Sequence, residues 1–98
     1  LRSKKYEQGK GQLRSGNKFC CMGVGCDLFG KENSIKWKEN SFMRALRFLP
    51  FDVMRWLGLN DDGGAYLNDK LTCLNDDGTT FDRIADIIES EPEGLFKE

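Results

Sequence analysis

The chain is expected to fold as a small α+β domain: an N-terminal β-hairpin plus one short strand packed on about three short helices, with residues 1–98 forming a single unit. Three observations carry that expectation. Turn residues cluster between two short apolar arms near the N-terminus. "TTFDRIADIIES" at 79–90 repeats its apolar residues at helical spacing. A chain of 98 residues, 39% apolar and 32% charged, suits one modest core in a soluble protein.

The hairpin comes first. In "YEQGKGQLRSGNKFCC", Gln12–Arg14 and Lys18–Cys21 flank Ser15-Gly16-Asn17, and Gly and Asn accept the positive φ that a tight turn needs. Next, "CMGVGCDLFG" places Cys21, Val24 and Leu28 at i, i+3 and i+7, which predicts a helix over 21–29 with Gly30 as its C-cap. Gly23 and Gly25 each cost such a helix about 1 kcal/mol relative to Ala, so packing must hold it. Close contact with the hairpin backbone is the expected reason for them.

Ile35 and Trp37 alternate with polar neighbours, as in a short half-exposed strand. Leu46 to Leu49 leans the same way, because Pro50 disfavours helical geometry in the residue before it. Pro50 then opens a helix over 50–57, with Asp52 in the first turn, Gly58 just past the end, and Val53, Trp56 and Leu57 facing inward. Residues 59–78 read as loop with one short strand or helical turn. In the final helix, 79–90, Phe81, Ile84, Ala85 and Ile88 form the buried stripe; Thr79 and Asp82 match a capping box, and Pro92 enforces the stop. "LRSKK" at the start reads like the last turn of a helix. The expected core is Leu13, Phe19, Cys21, Val24, Leu28, Val53, Trp56, Leu57, Leu74, Phe81, Ile84 and Ile88.

"LNDDG" occurs at Leu59–Gly63 and again at Leu74–Gly78, with a partial copy at Leu67–Asp69. It fails as a calcium loop. Taking Gly78 as position 6 puts Cys73 at position 1 and Ile84 at position 12; taking Gly63 puts Gly58 and Asp69 there, and neither set supplies the ligands. The composition is that of turns, whose carboxylates stay solvated and do not separate their pKa values for acid–base work. The repeat is therefore chiefly punctuation, while Asn75 and Asp76, held at a helix entrance, could hydrogen-bond a ligand.

Other chemistries fall away. With no histidine, Cys-His and Ser-His-Asp systems are excluded within this sequence. Cys20, Cys21, Cys26 and Cys73 lack C-x2-C spacing, so reduced and mostly buried thiols are expected, with neither metal nor cofactor. "GKG" at 9–11 is no P-loop. No apolar run approaches the ~18 residues of a membrane span, and the basic, polar N-terminus carries no secretory signal, which points to a cytoplasm.

Net charge is −1, but residues 1–50 carry 11 Lys and Arg against 4 acids, and residues 51–98 carry 4 against 12. Such polarity steers an anionic ligand to one side or lets subunits pair head to tail, so self-association is a further expectation. A pI near 5.5 is not that of a dedicated DNA or RNA binder.

"YEQGKGQLRSGNKFCCMGVGCDL", "LPFDVMRWLGL" and "LNDDGTTFDRIADIIES" together resemble a largely uncharacterised group of small phage and prophage proteins, which share an F-C-C-x-G-V-x-C-D-L opening and an L-N-D-x-G-x-T-F-x-x-I-A-x-x-I-E close. The resemblance covers most of the chain. It implies a role in host takeover or counter-defence in the host cytoplasm, by clasping a host protein or sequestering a nucleotide signal. The expectation is a non-enzymatic binder with no catalytic residues, whose ligand contacts are Lys10, Arg14, Lys18, Asn75 and Asp76. A histidine-free enzyme of nucleotide or thiol chemistry, using Asp76 or Cys20, is the alternative.

Overall fold

The computed structural model describes residues 6–66 and 69–97. The helical reading of "LRSKK" lies outside them, as does most of the partial repeat at 67–69.

The architecture is α+β, as expected. Strands β1 (Glu7–Gln8), β2 (Arg14–Ser15) and β3 (Lys18–Phe19) form a sheet in the order β1-β3-β2. The hairpin is β2 and β3, paired antiparallel with Arg14 opposite Phe19 and turning at Gly16, whose φ is 61°. The third strand is not the one expected. It is β1, parallel to β3 with Glu7 opposite Lys18, whereas Ile35–Trp37 joins no sheet because its own ends tie it to the neighbouring helix. The Ile35 N–H donates to Gly30 O at 2.9 Å and the Trp37 indole donates to Asp27 Oδ1 at 3.1 Å. Leu46–Leu49 is likewise no strand; the Leu49 N–H finds its partner in the Asp62 carbonyl.

Helix α1 (Cys21–Asn33) runs four residues further than its glycines suggest and ends at Ser34, which takes the left-handed conformation at φ 58°. Gly30 lies inside it, where a Cβ would sit 2.5 Å from Ile35 O. Gly23 allows α1 to cross the hairpin, since a Cβ there would lie 1.8 Å from Leu13 O. Gly25, by contrast, faces Leu57 of α2 (Phe51–Leu57) rather than the hairpin.

Helix α3 (Leu71–Asp76) is the one short element expected within the loop region 59–78, and it is helical. No side chain caps its start at Lys70, and its two buried positions, Leu71 and Asn75, are an i, i+4 pair in which one member is polar. The apolar period is therefore invisible. Helix α4 (Phe81–Glu89) is capped by Thr80, not Thr79: Thr80 Oγ1 accepts from the Arg83 N–H at 3.3 Å.

The core joins the hairpin, α1 and the later helices through Leu13, Phe42, Val53, Leu71, Ile84 and Leu95, all fully buried. Two expected core residues are not in it: Leu28 is 46% exposed and Trp56 47%. α1 buries Cys21, Met22, Val24, Cys26 and Phe29, so its first two turns are covered almost all round, and Leu28 falls beyond that cover. α2 spans only two turns and fully buries Val53 alone, which leaves Trp56 on its flank with one edge against Phe29 at 5.4 Å.

Candidate functional site

Strand β1 meets the chain between α3 and α4. Gln8 Nε2 donates to Asn75 Oδ1 at 3.0 Å and to Thr79 O at 2.6 Å, while Gln8 Oε1 accepts from the Phe81 N–H at 3.2 Å. Asn75 Oδ1 also accepts from the Cys21 N–H at 3.1 Å, and Asn75 Nδ2 donates to Gly9 O at 2.6 Å. One fully buried amide thus ties β1, the start of α1 and the end of α3 together, and Gln8 fastens the same strand to the start of α4. A buried amide so engaged fixes register, since each partner would otherwise be a desolvated polar group. Asp76, one residue on, is exposed and accepts from the Gly11 N–H at 2.8 Å.

A different face gathers charge and rings. An open groove of about 470 Å³ is lined by Arg14, Asp27, Lys31, Ile35, Lys36 and Trp37. Its aromatic lining residue, Trp37, belongs to a file of rings meeting edge to face: Tyr6 on Phe19 at 5.2 Å, Phe19 on Trp37 at 5.6 Å, and Trp37 on Phe42 at 5.1 Å. The Arg14 guanidinium lies 5.5 Å from the Phe19 centroid and 5.6 Å from that of Trp37, and its Nε donates to Gly16 O at 2.7 Å. The hairpin turn therefore aims the cation, and the rings hold it by cation–π attraction.

Asp27 organises the wall. Its carboxylate accepts from the Tyr6 hydroxyl at 2.7 Å and the Trp37 indole at 3.1 Å, and pairs with Lys31 at 3.1 Å. Burial alone would raise its pKa, but the hydrogen bonds from Tyr6, Lys31 and Trp37 together with the Lys31 charge outweigh that and hold the carboxyl below its ordinary value. Burial, followed by the bond to Asp27, pushes the Tyr6 hydroxyl up. The groove thus presents Arg14, Lys31 and Lys36 around one ionised acid. This suits an anion with a planar part, because a guanidinium both pairs with phosphate or carboxylate and stacks on a ring.

A smaller cleft of about 180 Å³ brings Cys20, Cys73 and Asp76 near Arg47 and Lys70. Cys20 caps α1, its Sγ accepting from the Gly23 N–H at 3.3 Å. A helix N-terminus favours thiolate, yet burial raises the Cys20 pKa and dominates. Burial likewise raises Cys21, and it pushes Cys26 up to about 12. Cys73 is the exposed thiol among these four. Among the described residues, no three Cys, Asp or Glu side chains gather as a metal ion would require, and no helix is long and apolar enough to cross a membrane.

The five residues expected to contact ligand do not form one site. Arg14 lines the groove. Lys18 is exposed on β3 beside it in the hairpin, and Lys10 is exposed near Gly78 at the repeat. Asn75 and Asp76 belong to the joint that holds residues 8–11 and Cys21 against α3. Lys31, Lys36, Asp27 and Trp37 were missed by sequence reasoning, because only the return of 34–37 onto α1 places them beside Arg14. The one available cue was the Asp27–Lys31 pair at i, i+4 on a helix.

No curated protein and no solved structure matches the chain. A family model does match, over residues 1–92, and covers both segments joined by Gln8 and Asn75. The chain belongs to that family, described as a domain of unknown function (DUF8296).

Proposed function

We propose that this is a phage-derived, non-enzymatic binding protein that takes up an anionic, nucleotide-like ligand in the Arg14–Trp37 groove. Acting in the host cytoplasm, it would sequester a nucleotide signal as a counter-defence or takeover factor. The observation that carries the reading is the Arg14 guanidinium fixed over Phe19 and Trp37 at the mouth of a groove whose rim adds Lys31 and Lys36. At about 470 Å³ the groove falls within the roughly 300–1,000 Å³ usual for small-molecule sites. The basic balance of residues 1–50 supplies long-range attraction for the same ligand.

Calorimetry with linear and cyclic nucleotides and with inorganic phosphate, joined to product analysis of the same mixtures, tests this. Saturable binding with intact ligand recovered, quenching of Trp37 fluorescence, and an affinity at least about tenfold weaker in Arg14→Ala are expected, since a charge-assisted bidentate contact contributes ~1.5–3 kcal/mol. Turnover of any nucleotide, or binding unchanged by Arg14→Ala, contradicts the reading.

A further inference from the structure

The charges of the Arg14–Trp37 groove set which kind of phosphate it suits. Four charged side chains line it: Arg14 from the hairpin, Asp27 and Lys31 from α1, and Lys36 from the segment that folds back onto α1. Lys31 already has partners, lying 3.1 Å from the Asp27 carboxylate and 5.7 Å from the Tyr6 ring centroid. Arg14 and Lys36 have no acidic partner among the described residues. The groove therefore keeps two uncompensated positive charges.

Arg14 is also set in advance for a phosphate. Its Nε donates to Gly16 O at 2.7 Å and its guanidinium lies over Phe19 and Trp37, which leaves the two Nη amines, engaged by no described residue, as the open end of the fork. That end spans two oxygens of one phosphate, whereas Lys36 adds a point charge without a fixed direction. Working against them is the end of α1, which closes beside the groove. A helix C-terminus amounts to about half a negative elementary charge, and here it is blunted, because Gly30 O accepts from the N–H groups of both Ser34 and Ile35. About one and a half positive charges remain. This exceeds the single charge of a phosphodiester and approaches the ~1.5–2 negative charges that a phosphomonoester carries at neutral pH.

We infer that the groove selects the dianionic terminal phosphate of a nucleotide monoester over the singly charged phosphate of a cyclic nucleotide, an assignment that rests on the nucleotide-binding reading of this groove. Arg14 grips two phosphate oxygens and Lys36 answers the second charge. A pH signature accompanies the arrangement. Histidine, the side chain that ordinarily changes charge between about pH 5 and 8, is absent from the chain. Asp27 stays ionised, its pKa below the ordinary value despite burial because Tyr6, Lys31 and Trp37 hydrogen-bond to it, and the bond to Asp27 raises Lys31. The titration that binding reports is therefore that of the ligand, whose second phosphate proton leaves near pH ~6.

Equilibrium dialysis of the full chain against the 5′-monophosphates of the four ribonucleosides, their 3′,5′-cyclic forms and the parent nucleosides tests this. At about pH 7.5 a monophosphate should bind at least about fivefold more tightly than its cyclic form, the size of one added charge pair near the dielectric of water. At about pH 5 its affinity should fall to that of the cyclic form, which itself stays level across the range. Lys36→Gln should remove most of the preference and flatten the pH profile, while Arg14→Lys, which keeps the charge and loses the fork, should weaken both ligands. Circular dichroism checks that each variant folds, and the wild-type pH profile needs no variant. A cyclic form that binds as tightly as the monophosphate, a monophosphate affinity indifferent to pH, or a cyclic dinucleotide that outcompetes every monophosphate overturns the selection while nucleotide binding stands. Absence of binding by every nucleotide overturns both.

Discussion

At residues 59–63 the asparagine of the repeat lies at the surface, where Asn60 Nδ2 donates to Gly94 O and Phe96 O at 3.0 Å each and pins the C-terminal segment beside α2. At residues 74–78 the same five letters bury their asparagine completely and use it to hold β1, α1 and α3 in one place. Backbone state makes the difference. The first copy follows Gly58, the left-handed C-cap of α2, and continues as turn. The second begins inside α3, where Asn75 sits one helical turn after fully buried Leu71 and so points the same way. Aspartates trade roles too. Asp61 closes its own turn by accepting from the Gly63 and Ala65 N–H groups, whereas Asp76 reaches out to Gly11. A short polar repeat thus has no intrinsic role; the element that carries it assigns one.

The contrast is widest at the asparagines. Asn75→Ala strands the Cys21 N–H and the Gly9 carbonyl and removes one of the Gln8 amide's two acceptors, and should cost about 3 kcal/mol or more in urea denaturation, since each buried unpaired group costs ~1–3 kcal/mol. Asn60→Ala, whose partners can turn to water, should cost less than about 1 kcal/mol. Equal costs would erase the distinction. Gln8→Ala comes next, at about 2 kcal/mol, because the Phe81 N–H at the start of α4 loses its acceptor in a part-buried site. Its signature is earlier loss of hydrogen-exchange protection in α4 than in α2.

The aspartates should reverse the order. Asp61→Ala removes two turn hydrogen bonds and a loose 3.8 Å ion pair to Lys70, and about 1–2 kcal/mol is expected, as for loss of a cap. Asp76→Ala removes one exposed bond and should cost under about 1 kcal/mol. If Asp76 proves the costlier, the second copy holds the fold through its surface as well.

The smallest effect concerns pH, and it falls on the side of the second copy, where buried Cys21 gives its N–H to Asn75. Burial raises the folded-state pKa of Cys20, Cys21 and Cys26, the last from 9.0 to about 12. The folded chain therefore holds these protons where the unfolded chain releases them. Stability from this source is complete below the ordinary thiol value near 9.0 and drains away as pH climbs toward about 12. Urea midpoints taken from pH 7 to 10.5 should fall in the upper part of that range. In native protein at neutral pH, a thiol reagent should label exposed Cys73 rapidly and the other three only on unfolding. Rapid labelling of a second thiol would contradict the burial.

Much of the fold could be read from residues acting locally. The hairpin turn at Gly16, α2 between Pro50 and Gly58, and the apolar stripe of α4 each rest on short-range chemistry, and each appears. What escaped depends on distant partners. α3 could be read only as one short strand or helical turn, because its second buried position is Asn75, whose burial makes sense only once Gln8, Gly9 and Cys21 surround it. β1 was hidden because a two-residue parallel strand has no sequence period. Leu28 and Trp56 have core chemistry and core spacing but lie where no neighbour covers them. The groove was half visible: Arg14 stood out as a cation in a hairpin arm, whereas Asp27 and Trp37 come to it through tertiary hydrogen bonds, with Lys31 paired to Asp27 along α1.

A double-mutant cycle on Gln8 and Asn75 probes most directly whether the second repeat copy joins β1 to the later helices. Urea denaturation of wild type, Gln8→Ala, Asn75→Ala and the double variant should give a coupling of about 1–3 kcal/mol, because the two amides hydrogen-bond each other within one network. Costs that simply add would mean that the two side chains act independently, and the joint as described would not exist.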